Sequence, residues 1–134
     1  MKKLLILALC LMPLVGLAQE SQKTDKKNLV IKEWNTDPKG GHKFLDHVTT
    51  YNADGQKIEE IEYDSAGQKW RKRYERDVNG KVITEYVYDN RNRLQTYKKV
   101  EYNTLQRRKT QYTYNAKGKL LGIKQYEYIA QKAN

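Results

Sequence analysis

Tyr112-Thr113-Tyr114-Asn115-Ala116-Lys117-Gly118-Lys119-Leu120 reads as the end of one β-strand, a tight turn and the start of the next. Asn at the first turn position and Gly at the fourth suit a type I turn. The Asn side chain bonds nearby backbone N–H groups, and Gly enters the φ > 0 region without steric cost. Glycine in that place also forms a G1 bulge, the geometry of the three-residue hairpin loop. Asn115 is then expected to face Lys119, and Tyr114 to face Leu120, across the ladder.

Versions of this stretch recur. Tyr51-Asn52-Ala53-Asp54-Gly55 and Tyr63-Asp64-Ser65-Ala66-Gly67 are full copies, and Arg76-Asp77-Val78-Asn79-Gly80, Tyr88-Asp89-Asn90-Arg91-Asn92 and Tyr102-Asn103-Thr104-Leu105-Gln106 are weaker ones. Successive anchors at 51, 63, 76, 88, 102, 114 and a final Tyr128 lie 12 to 14 residues apart, so the unit is two strands of about 26 residues. Gly55, Gly67, Gly80, Asn92 and Gly118 take the left-handed turn position. Gln106 suits that conformation poorly, which makes the 103–106 turn the one expected to be most irregular. The fold implied is all-β: a twisted antiparallel meander of seven or eight strands built from β-hairpin repeats, single-layered or partly rolled. Gly or Asn interrupts the chain every dozen residues, and apolar positions at helical spacing are missing after residue 28.

Side chains alternate along a strand, so counting in twos from each anchor assigns faces. One set is Leu45, Ile61, Tyr63, Trp70, Tyr74, Val82, Tyr86, Tyr88, Leu94, Val100, Tyr102, Tyr112, Tyr114, Leu120, Tyr126 and Tyr128; the other is mostly charged. With the first anchor, Tyr51, ten of the eleven tyrosines share a face on this count and only Tyr97 lies opposite. That division is the signature of a sheet with one aromatic and one solvated face.

The pattern Tyr-x-Tyr-(Asp/Asn)-x-x-Gly-(Lys/Arg)-Leu of Tyr112 to Leu120 resembles the YD repeat of RHS-type bacterial proteins. Tyr86-Val87-Tyr88-Asp89 with Arg93-Leu94, and Tyr63 to Gly67, match it too, and the likeness covers about residues 45–128. The resemblance implies β-hairpin geometry and an export context; about six turns are far too few for the cargo-enclosing shells such repeats build. The outline of a leader followed by tyrosine-rich repeats also looks like a small secreted family of unknown function from Gram-negative gut anaerobes.

The two ends read differently from the repeats. Lys2 and Lys3, an apolar run from Leu4 to Leu17 and the small-x-small site Gly16-Leu17-Ala18 form a secretory signal peptide over residues 1–18. A polar arm over 19–28, expected to be flexible, leads into a repeat domain over 29–128 and a tail over 129–134. The run is short for a membrane span, none follows it, and the expected address is the periplasm or the exterior. Cys10 is the sole cysteine and lies inside the leader, so the exported chain has neither disulfide nor thiol chemistry. Formal charge is +10, of which Lys2 and Lys3 account for two, leaving about +8 to attract polyanions or to aid solubility.

Catalytic groups are not apparent. No Ser or Cys has a base partner, no phosphate-binding glycine loop occurs, and Glu59-Glu60 are adjacent and so splay apart. His42 and His47 would point to opposite faces of a strand, a poor metal pair, and the turn aspartates are explained by turn chemistry. The expectation is a non-enzymatic module without cofactor or metal. The candidate binding residues are Trp70, Tyr74, Tyr86, Tyr88, Tyr102, Tyr112, Tyr114 and Tyr126, on the aromatic face. Two readings of that face stand open: a core of half-buried rings, or a surface for a protein partner, a second copy or an acidic glycan. Nucleic acid is the disfavoured ligand.

Overall fold

The computed structural model describes residues 25–133. The expected signal peptide and the first part of the expected arm lie outside the described residues, as does the last residue of the tail. Eight strands follow one another: β1 (Val30–Thr36), β2 (Lys43–Tyr51), β3 (Lys57–Asp64), β4 (Gly67–Arg76), β5 (Val82–Tyr88), β6 (Leu94–Tyr102), β7 (Arg108–Asn115) and β8 (Leu120–Gln125). They pair in sequence order, each antiparallel to the last, in a single open sheet that does not close into a barrel. The described residues contain no helix, hence none long and apolar enough to cross a membrane.

The turns form as their residues dictate. Asn115 N–H donates to the Lys119 carbonyl at 2.9 Å, while the Asn115 side-chain oxygen accepts from the Lys117 and Lys119 amides at 3.0 and 2.9 Å. Asn52, Asp77, Asp89 and Asn103 do the same in their own turns. Gly55, Gly67, Gly80 and Gly118 have positive φ, and Asn92 takes 59°. The 103–106 turn is not the irregular one expected. Gln106 adopts φ 61°, and the Asn103 side chain holds the Leu105 and Arg107 amides at 3.0 and 3.1 Å as in its sister turns. Those bonds and the flanking ladder over-determine the turn, so the strain sits in the Gln106 backbone and not in the turn shape.

One regular feature is invisible in the turns themselves. Every return strand skips a pairing just inside its start: Asp46, Ile58, Lys69, Ile83, Gln95, Lys109 and Leu121 have no partner opposite. Each is a bulge, one extra residue on the return strand. An extra residue flips the face parity of all that follows it. Anchors one hairpin apart therefore face opposite sides, and anchors two hairpins apart share a side.

This corrects the face assignment made by counting in twos. Trp70, Tyr74, Val100 and Tyr102 lie on one face; Tyr86, Tyr88, Tyr112 and Tyr114 lie on the other, with Tyr97 among them. Asn28 N–H donates to Asn52 O and Tyr51 N–H to Leu29 O, both at 2.9 Å, which joins residues 28–29 to the first repeat turn.

Among the described residues neither face is covered by a second layer. Val100, at 8% exposure, is the sole buried hydrophobic side chain among the described residues. Stability has to come from the ladders and from side chains laid across neighbouring strands, each pair contributing about 0.2–1 kcal/mol.

Candidate functional site

A row of side chains crosses the whole sheet on the tyrosine face. Through successive pairings it runs Val30, Thr50, Glu59, Arg73, Tyr86, Tyr97, Tyr114 and Leu120, one residue from each strand. At its centre the Tyr97 and Tyr114 rings stack at 5.0 Å and 15°, and Tyr86 lies 6.1 Å from Tyr97 at 33°. The Arg73 guanidinium caps the row 4.9 Å from Tyr86, and Lys99 approaches Tyr114 at 6.0 Å. In the adjacent row Arg71 sits 5.0 Å from the Tyr88 ring and pairs with Glu59 at 3.0 Å.

This geometry decides how the rings can be used. Neighbouring strands are about 4.8 Å apart, close to the thickness of stacked rings, so the tyrosines stand on the sheet with their faces against one another. The Tyr97 ring leans along the sheet, its hydroxyl 3.6 Å from where a Cβ on Gly118 would lie. Burial, reinforced by the Glu75 carboxylate, pushes the Tyr86 phenol pKa up, so this hydroxyl stays neutral. Arg73 and Lys99 are exposed, and neither pairs with a carboxylate among the described residues.

The opposite face has a different character. Glu60 is its hub: the Tyr74 hydroxyl donates to it, Lys57 Nζ lies 3.1 Å away, and His47 Nε2 3.6 Å away. Burial raises the Glu60 pKa, but the bonds from Tyr74 and Lys57 and the nearby charges outweigh it and hold it below the usual carboxylate range. Burial and the same carboxylate push Tyr74 well up. His47 meets Trp70 edge to face at 6.0 Å, and Lys72 lies 5.0 Å over Trp70 and 3.9 Å from Glu85. These groups satisfy one another, which is the behaviour of a structural network.

The expected site residues are therefore divided. Tyr86, Tyr88, Tyr112 and Tyr114 share the open row or its neighbours; Trp70 and Tyr74 belong to the Glu60 network. Tyr102 and Tyr128 have a third role, each donating its hydroxyl to the backbone carbonyl that opens the preceding strand, Val82 at 2.6 Å and Arg108 at 2.7 Å. Arg76 makes the equivalent bond to the Lys57 carbonyl at 3.0 Å, so the weak copy of the repeat keeps the contact with a guanidinium. Tyr126 follows β8, its N–H donating to Lys109 O at 3.0 Å. Tyr97 is the residue that sequence reasoning missed. The signal that finds it is the 25–26-residue spacing of like anchors: 51, 76, 102 and 128 on one side, 63, 88 and 114 on the other.

No protein-family model matches the chain, and no curated protein matches it. The solved structures that it weakly resembles include the following two. A GtfA/B complex bound to UDP and GlcNAc is 15% identical over 71% of this chain and 20% of that one, with a TM-score of 0.30. Accessory secretory proteins 1, 2 and 3 of Streptococcus pneumoniae are 16% identical over 80% of this chain and 21% of that one, with a TM-score of 0.32. The chain thus spans about a fifth of the length of each matched chain.

Proposed function

We propose that this is an exported, non-enzymatic repeat module that associates with a protein partner or with the cell envelope through its tyrosine face. The observation that carries the reading is the row Tyr86–Tyr97–Tyr114, which lies uncovered on one face of a single-layered sheet. Rigid rings that carry a hydroxyl supply amphipathic contact area at low entropic cost, which is why tyrosine is enriched at protein interfaces. Ring-face stacking on sugars is a poorer use of this row, because neighbouring rings and Arg73 already occupy those faces. The leader at residues 1–18 and the resemblance to YD repeats support the export reading. A photo-crosslinking residue at position 73 or 99 in producing cells tests it. Capture of a discrete product from these positions, and not from 72 or 98 on the opposite face, is expected. Equal capture from both faces, or none from either, contradicts it.

Arg73 and Lys99 favour a second reading, in which the same face holds an acidic glycan by charge. Exposed charges are largely screened beyond about 8 Å at physiological salt. Retention on immobilised heparin at that ionic strength, lost in the Arg73→Ala/Lys99→Ala double variant, supports it; absence of retention there removes it.

A further inference from the structure

The two edges of the sheet match each other. Val30 and Trp34 on β1 are 50% and 47% exposed, and Leu120 and Ile123 on β8 are 44% and 56% exposed. By their pairings with Thr50, Leu45, Tyr114 and Tyr112, all four lie on the tyrosine face. Among the described residues both strands present an unpaired backbone edge; β1 carries Lys32 and Glu33, and β8 a single charged residue, Lys124. An unguarded edge with apolar neighbours is a template for strand addition.

Polarity and stagger select the occupant. Eight alternating strands leave β1 and β8 antiparallel to each other, so β1 of a second copy continues the alternation beyond β8. The transverse row enters β1 at its first residue, Val30, and leaves β8 at its first residue, Leu120; the strands therefore slide steadily along their own direction across the sheet. A second copy whose β1 overlaps all of β8 keeps that slide when Trp34 lies opposite Ile123 and Thr36 opposite Leu120. Closure of β8 onto the chain's own β1 is a worse solution. An eight-stranded barrel is filled by its inward side chains, and each face carries charge, Arg73 and Lys99 on one, Lys72, Glu85 and Lys98 on the other. Burying Arg73, Lys99 or Lys98 without a partner is costly, and enclosing the Lys72–Glu85 pair removes its water as well.

We infer that the chain assembles head to tail, β8 of one copy adding edge to edge to β1 of the next, which lengthens the sheet and its tyrosine face. This goes beyond the partner proposed above and does not depend on it. Such an interface is heterologous and does not close on itself, so growth is open-ended. The test is sedimentation velocity on protein purified after expression of the full chain, with two edge variants, Trp34→Lys on β1 and Ile123→Lys on β8. Wild type should gain mass with concentration, and each variant alone should stay monomeric. Their equimolar mixture should stop at a dimer, since only one open β8 and one open β1 remain to meet. Val30→Lys and Leu120→Lys serve the same two roles if a first variant loses its far-UV β signal. Wild type monomeric throughout overturns the inference. So does a Trp34→Lys protein that still self-associates, which would place the contact between two β8 edges.

Discussion

The Tyr102 hydroxyl donates to the Val82 carbonyl at 2.6 Å, joining the end of β6 to the start of β5 on the face opposite the tyrosine row. Arg76 and Tyr128 repeat the contact one unit before and one unit after. Tyr102→Phe keeps the ring and deletes the bond. We expect a loss of about 1 kcal/mol in urea-unfolding stability, a typical net value for one hydrogen bond. An unchanged midpoint would show that this clamp adds nothing.

Gln106 holds φ 61° where its sister turns place glycine or asparagine. Gln106→Gly should relieve strain of about 1 kcal/mol and raise the melting temperature by several degrees. Gly118→Ala tests the converse. An added Cβ meets nothing closer than the Tyr97 hydroxyl at 3.6 Å, so its cost of about 1 kcal/mol is conformational and not steric.

Acid should weaken the sheet through Glu60. Its pKa is lowered in the folded protein, so the folded state binds the proton less tightly than the unfolded one. The stability this contributes is complete above the ordinary carboxylate range and fades as pH falls through the lowered value. Tyr74, raised by burial and by Glu60, works in the opposite sense. Its contribution is complete below the ordinary tyrosine value and fades as pH rises beyond it. Glu60→Gln should flatten the acid limb of a stability–pH profile; a profile unchanged by the substitution would contradict the hub role.

The tyrosine row should show a ring effect separate from a hydroxyl effect. Tyr97→Ala breaks two ring pairs, at about 0.5–1.5 kcal/mol each, and should destabilise the sheet by about 1–3 kcal/mol. Tyr97→Phe keeps the stack and should leave stability within about 0.5 kcal/mol, as for an exposed substitution. If the proposed association uses the ring hydroxyls, Tyr97→Phe should still reduce the crosslinked product at positions 73 and 99. Full retention would place recognition elsewhere.

Much of the fold was legible because local turn chemistry and strand alternation agree. Asn115 and Gly118 declare their hairpin, and its period repeats along the chain. The division of the tyrosines was not legible from the turns. It depends on residues such as Gln95 and Lys109, whose bulged state has no side-chain signature and emerges only when strands pair over many residues. One unseen bulge moved Tyr102 to the wrong side of the sheet and hid Tyr97. The Glu60 network was hidden for a related reason, since His47, Glu60 and Tyr74 come from three strands and meet only once register is set.

Tyr97 stands between Tyr86 and Tyr114 on one open face. Aromatic-proton nuclear Overhauser measurements on selectively labelled tyrosine and tryptophan test this directly. Contacts are expected from the Tyr97 ring to both Tyr86 and Tyr114, and none from it to Trp70 or Tyr74. Contacts from Tyr97 to Trp70 or Tyr74, with none to Tyr114, would contradict it.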